Sequence, residues 1–338
     1  MNKLIKKDIP IHFVLSGGAA KGFVHIGVLK GFEELGIKVA SITGTSAGAL
    51  FGGIWAMTLG YDKCKKKIDE FMESQVYKNF TQNYLLPDIG NKKNEEKETI
   101  FTFFKKKEKF KSKFTKISTS VSEKFFSVIK GTKAIFNLFD DEALVASEDI
   151  NKIYETIYLD TKIEDLKIPF IAVASDIRTK SIYCFKQGKL STAVAASTAI
   201  PFIFPSVRLD GMILYDGGIV ANLPVNESIE NFGKGIRIGV DVATSPIPID
   251  EDTNFMEVLQ QIISTSIWSK QLSDRKICDI LFTPVKDSIG WFDFHLKDKL
   301  IETGYRAVVE SKNEIILKLN NIIKSKYPKK NLFSIFQR

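Results

Sequence analysis

IHFVLSGGAAKGFVHIGVLKGFEELGIKVASITGTSAGALFGG, residues 11–53, decides the fold. It opens with a short apolar run, Ile11–Leu15, that ends in a glycine-rich turn. From Phe23, apolar residues recur at Ile26, Val28, Leu29, Phe32 and Leu35, close to the helical period, until Gly36 stops them. Val39–Thr43 is a second apolar run, and Ala47–Leu59 is an Ala- and Gly-rich helical stretch. Two strand–turn–helix units in succession predict parallel strands with helices laid on the faces of a sheet. The class is α/β.

Outward from this core, residues 62–80 read as one charged amphipathic helix. Residues 81–135 then break the pattern: they are polar, Lys-rich and studded with Phe, and read as an insertion. The α/β pattern resumes after about Phe136. Pro169–Ser175 and Ile236–Val242 are buried-type strands, with Ser181–Phe185 and Met212–Tyr215 as further strands. Met256–Lys270 and a long segment from Phe294 to Lys326 read as helices. The expected organisation is a catalytic unit over 11–226, interrupted at 81–135. Residues 227–338 complete the same α/β unit and end in a long helix and a basic, apolar tail.

The 338 residues are 44% apolar and 26% charged, ordinary for a globular protein. Cys64, Cys184 and Cys278 are few, far apart and odd in number, which argues against a disulfide framework or zinc knuckle and for free thiols in a reducing compartment. The N-terminal MNKLIKKDIP has positive charge but no apolar stretch behind it, so a signal peptide is not expected. No run approaches the roughly 20 apolar residues that span a bilayer. The expectation is a cytoplasmic protein, soluble or peripheral. The net charge of +8 favours an anionic partner without choosing one.

Gly44-Thr45-Ser46-Ala47-Gly48 matches GxSxG, and it follows a strand and opens a helix. That is the context a nucleophile needs: it must stand clear of the backbone on a tight turn, with a helix N-terminus behind it. The earlier turn, Ser16-Gly17-Gly18-Ala19-Ala20-Lys21-Gly22, admits three readings. A dinucleotide loop fits poorly, because Ala19 stands where a glycine is wanted and no acid ends the next strand. A P-loop fails for want of GK[ST]. An oxyanion hole of consecutive N–H groups suits the neighbouring elbow, with Lys21 adding positive potential or merely solvated. For the base, His12, His25 and His295 are the histidines, and Ser46 with His295 would satisfy a Ser–Asp–His order. Asp216, in Asp216-Gly217-Gly218 after a strand, is the other possibility; a weak base of this kind needs a dry, preorganised site.

Taken in order, SGGAAKG (16–22), GTSAG (44–48) and DGG (216–218) resemble the patatin-like phospholipase family, its bacterial members especially. FVHIGVLKGFEELGI, AASTAIPFIFPSV and YDGGIVANLPV extend the resemblance over most of the chain outside 81–135. It implies a three-layer α/β/α fold and a Ser–Asp dyad, with Ser46 as nucleophile and Asp216 as base. It also implies an oxyanion hole from Gly17, Gly18, Ala19 and Ala20, supported by Lys21, Gly22, Gly44, Gly48, Gly217 and Gly218. Ala19 replaces a glycine common in the family, and the family assigns no role to the insertion. The implied activity is hydrolysis of lipid acyl esters, phospholipid foremost, with no cofactor or metal. Its rivals are a non-catalytic lipid-binding protein on the same fold and a Ser–His–Asp esterase.

Residues 101–130 carry nine Lys against Glu108 and Glu123, interleaved with Phe101, Phe103, Phe104, Phe110 and Phe114. Aromatics beside lysines suit an anionic membrane surface, where each lysine contributes about 1 kcal/mol. A solvated loop is the plain alternative, and nucleic acid is disfavoured for want of a motif. The Lys329–Arg338 tail is a second membrane contact or a packed end.

Overall fold

The structure, a computed structural model, describes residues 9–85, 143, 145–243, 255–285, 289–328, 330 and 335, with backbone alone for 255–264. Most of the 81–135 insertion therefore lies outside the described residues, as does nearly all of the tail. Of the two tail residues described, Lys330 and Ile335, the latter is buried, and its carbonyl accepts the Lys38 N–H.

Among the described residues eight strands form one sheet, in the order β5-β6-β3-β2-β1-β7-β8, with β4 also on β3. They are β1 Ile11–Leu15, β2 Val39–Thr45, β3 Phe170–Asp176, β4 Ser181–Phe185, β5 Val207–Leu209, β6 Met212–Asp216, β7 Ile236–Val240 and β8 Ile280–Phe282. The five from β3 through β8 run parallel, while β4 and β6 are antiparallel to β3. The helices are α1 Phe23–Glu34, α2 Ala47–Thr58, α3 Tyr61–Glu73, α4 Gln75–Phe80, α5 Ser147–Tyr158, α6 Leu190–Ser197, α7 Gly218–Ala221, α8 Val225–Phe232, α9 Phe255–Ile277, α10 Lys297–Glu310 and α11 Lys312–Lys326.

Strand residues alternate between two cores, as a pleated strand requires. Ile11, Phe13 and Leu15 of β1 face a large cluster with α1, α2, α5, α6, α10 and α11. Val14 faces the other side, with Leu223 and Val225, and Ile171 and Val173 pack there against Ala221. Helices cover both faces, so the architecture is three-layer α/β/α.

Sequence periodicity ran elements together at two places. The predicted helix over 62–80 is two, because Ser74 turns to extended backbone (φ −67°, ψ 154°) and its hydroxyl caps the second helix through the Tyr77 N–H. The segment from Phe294 to Lys326 is likewise a short 3-10 turn and two helices meeting at Ser311. Helices α5, α6, α7 and α8 were not expected from the sequence. No helix among the described residues is long and apolar enough to cross a membrane.

Candidate active site

The register of β3 brings Ser46 and Asp216 together. Thr45, the last residue of β2, pairs with Val173. Asp216, the last residue of β6, pairs with the next residue, Ala174. β4 occupies Ala172–Asp176 along one edge of β3, so β2 and β6 share the other edge, end to end. The chain leaves the sheet at Ser46 where the antiparallel β6 arrives at Asp216.

Ser46 has φ 54° and ψ −121°, a left-handed conformation that costs a non-glycine residue about 1–2 kcal/mol. The surroundings hold it there. Its N–H donates to Ser197 Oγ at 3.0 Å, and Ser197 in turn donates to the Val173 carbonyl at 2.6 Å. Glycines let the elements close in. A Cβ at Gly44 would lie 2.3 Å from the Gly48 carbonyl oxygen, and one at Gly48 would lie 2.1 Å from that of Leu15. Gly22 and Gly217 are as tightly placed, against Ala47 and the Val173 carbonyl.

Asp216 is buried, and burial pushes its carboxyl up to about 6. Hydrogen bonding from the Ser46 side chain and from the Gly218 N–H, the latter at 2.7 Å, pulls the other way. The result is a carboxylate that is ionised at neutral pH and more basic than an exposed one. Its backbone is fixed by the Ala199 carbonyl and by the Ser175 hydroxyl.

Of the four expected oxyanion donors, the structure commits two elsewhere. The Gly17 N–H donates to the Asn222 carbonyl and the Ala20 N–H to the Trp291 carbonyl, each at 3.1 Å. Among the described residues the N–H groups of Gly18 and Ala19 meet no acceptor. Ala19 has φ 50°, which explains why a glycine would sit more easily there. Ser16 anchors the turn: its hydroxyl accepts from Val242 N–H and donates to Gly17, and its carbonyl meets His25 Nε2. Lys21 is not a solvated surface lysine. It is 7% exposed, and burial lowers the ammonium's pKa against the opposing attraction of Asp241.

No histidine among the described residues meets the pair. His12 bonds Ser41 and stacks on Phe232; His25 is buried against Ser16; burial lowers both to about 4. His295 is exposed and stands outside the cavity wall, unlike its neighbour Phe294.

The sequence reading missed the cavity that opens at Ser46. Its space is about 1010 Å³ counting the open mouth. Ser46, Ala47, Leu50, Phe51 and Ile54 line it down one face of α2, which carries it roughly 12 Å from Ser46 at 1.5 Å per residue. Ile150, Ile153, Tyr154 and Ile157 face them from α5, and α3 and α4 close the space with Phe71 and Phe80. Tyr154 and Thr198 bond each other at 2.6 Å within this apolar lining. In sequence these faces look like ordinary core. The run 195–204 held the only signal, and it gave Ser197, Thr198 and Phe204 no role.

A profile described as Patatin-like phospholipase matches residues 13–229. The mouse patatin-like phospholipase domain-containing protein 6 is 27% identical over 236 residues, 69% of this chain and 14% of that one. Neuropathy target esterase sws of Drosophila melanogaster is 28% identical over 236 residues, 69% of this chain and 13% of that protein. An NTE family protein of Mycobacterium bovis is 27% identical over 215 residues, 64% of this chain and 44% of that one. The chain thus corresponds to a minor part of each of these relatives. Among solved structures, VipD from Legionella pneumophila aligns over 90% of this chain and 66% of its own, at 15% identity and a TM-score of 0.41.

Proposed function

The chain belongs to the patatin-like phospholipase family, and from that premise we propose that it is a serine lipid acyl hydrolase acting on phospholipid or lysophospholipid esters through Ser46 and Asp216. One observation carries the reading: Ser46, hydrogen-bonded to the buried Asp216 carboxylate, lines an apolar cavity together with Ala19, whose N–H is uncommitted.

Asp216 takes the Ser46 proton as Oγ attacks the ester carbonyl. The oxyanion forms against the Gly18 and Ala19 N–H groups, with the N-terminus of α2 adding positive potential. The alcohol leaves with the proton, and the fatty chain lies along α2 in the cavity. Water then attacks the acyl-enzyme and frees the acid. Burial that raises Asp216 also supplies the dry surroundings a carboxylate base requires. Phe202 and Trp291, 55% and 41% exposed, would meet the lipid phase beside the cavity, where Ile200, Phe204 and Trp291 itself form part of the wall.

Hydrolysis of phosphatidylcholine by wild type, Ser46→Ala and Asp216→Ala tests the proposal. Both variants should lose at least about a thousandfold in rate, and a fluorophosphonate probe should label wild type at Ser46. Equal hydrolysis by all three would sink it.

A further inference from the structure

Asn222, just beyond α7, reaches both glycine-rich turns. Its backbone carbonyl accepts the Gly17 N–H. Its side-chain Oδ1 lies 2.4 Å from where a Cβ on Gly17 would be, and 3.1 Å from where one on Gly218 would be. The Gly17 position is itself 3.1 Å from Ser46 Cβ, and the Gly218 position is 3.0 Å from Asp216 Oδ1. Ser46, the Asp216 carboxylate and Asn222 Oδ1 therefore lie close together around the two turns.

The atom that Asn222 presents to the dyad is fixed from behind. Asp241 is fully buried and paired with Arg275 at 2.6 Å, so it offers only acceptors. Gln271, also buried, must turn its NH2 to Asp241, which it does at 2.6 Å, and its carbonyl away. That carbonyl can only accept, and Asn222 donates to it at 3.2 Å. The Asn222 amide is left with Oδ1 toward the dyad. The chain Asp241–Gln271–Asn222 satisfies its donors and acceptors in one orientation only.

We infer that Asn222 positions the water that hydrolyses the acyl-enzyme, an inference that rests on the Ser46–Asp216 reading. One hydrogen of the water points to Asp216 and the other to Asn222 Oδ1, which leaves an oxygen lone pair aimed at the acyl carbon. Attack forms the new C–O bond as Asp216 takes the proton. The bond from acyl carbon to Ser46 Oγ then breaks, the proton passes from Asp216 to Oγ, and a free carboxylic acid leaves. Formation of the acyl-enzyme uses no water, so Asn222 Oδ1 serves the second half-reaction alone.

Rapid mixing with p-nitrophenyl butyrate separates the halves. The first phase reports acylation, the steady state reports turnover, and intact-protein mass spectrometry follows the acyl adduct on Ser46. Asn222→Ala should acylate within about threefold of the wild-type rate, while its turnover falls roughly 10–100-fold and the adduct accumulates. Asn222→Ser, a smaller change of volume, should behave alike; the comparison with wild type uses whichever variant keeps the wild-type melting temperature. Loss of both phases together in such a variant, or of neither, overturns the inference and leaves the dyad standing. A burst that survives Ser46→Ala overturns the dyad and the water-positioning role together.

Discussion

Two apolar helix interfaces on the same face of the sheet are built in opposite ways. Helix α1 lies directly on α10. A Cβ at Gly27 would lie 1.8 Å from the Ile301 carbonyl oxygen, and one at Gly304 would lie 2.1 Å from that of Val24. The backbones touch and no space is left. Helices α2 and α5 meet through Leu50, Ile54, Ile150 and Ile157, branched side chains that hold the helices apart around the cavity. Both interfaces contribute buried apolar residues to the same core. What separates a sealed core from a binding chamber is side-chain size at the contact, because dispersion between helices needs close approach and large residues on both sides prevent it.

The largest expected effect tests the sealed side. Gly27→Ala forces a methyl group into a backbone carbonyl with no flexible neighbour to yield, and should destabilise by about 4 kcal/mol or more. Urea unfolding would measure it; a loss below about 1 kcal/mol would mean that α1 and α10 are not locked as described.

The next effect tests the chamber side, where burial of Asp216 opposes stability. Its folded pKa of about 6 stands above the ordinary 3.8, so the fold favours the protonated form. Stability from this group is present below pH 3.8 and is lost as pH rises through about 6. The loss is at most about 3 kcal/mol. Asp216→Asn escapes it. The variant should melt higher than wild type at pH 8, with the gap closing toward pH 4, while its hydrolysis is abolished. The same ionisation predicts that wild-type kcat/KM falls about tenfold per pH unit below pH 6; a flat profile between pH 4.5 and 6.5 would count against Asp216 as the base.

A smaller effect separates space from stability. Ile54→Phe adds bulk to the chamber two turns below Ser46. It should leave unfolding free energy within about 1 kcal/mol, since there is room, yet lower hydrolysis of palmitoyl relative to butyryl esters about tenfold. Unchanged chain-length preference would place the acyl chain elsewhere. The smallest effect is Gly53→Ala, also on α2. There a Cβ meets the Tyr158 hydroxyl at 3.3 Å and Leu190 at 3.5 Å, side chains that can give. The variant should change stability by less than about 1 kcal/mol in either direction, in contrast to Gly27→Ala.

Local signals made much of this molecule legible. Alternating apolar runs and glycine turns marked β1, α1, β2 and α2, and the elbow at Ser46 was visible because the serine, the strand before it and the helix after it are neighbours in sequence. Asp216 was visible as a strand-end acid, though its choice over His295 came from the family resemblance. The breaks at Ser74 and Ser311 were hidden, since the apolar period continues across both. Helix α6 was hidden too: its Ala- and Ser-rich run, LSTAVAAS, has little contrast between faces.

The sequence alone determined which residues could react and on which turns they sit, because strand, turn and helix chemistry act over a few residues. Only the tertiary structure decided which of them meet. Ser46 and Asp216 converge because β2 and β6 share one edge of β3, a pairing between residues far apart in the chain. The same long-range packing spent the N–H groups of Gly17 and Ala20, left those of Gly18 and Ala19 open, and held α2 and α5 far enough apart to leave a chamber beside Ser46.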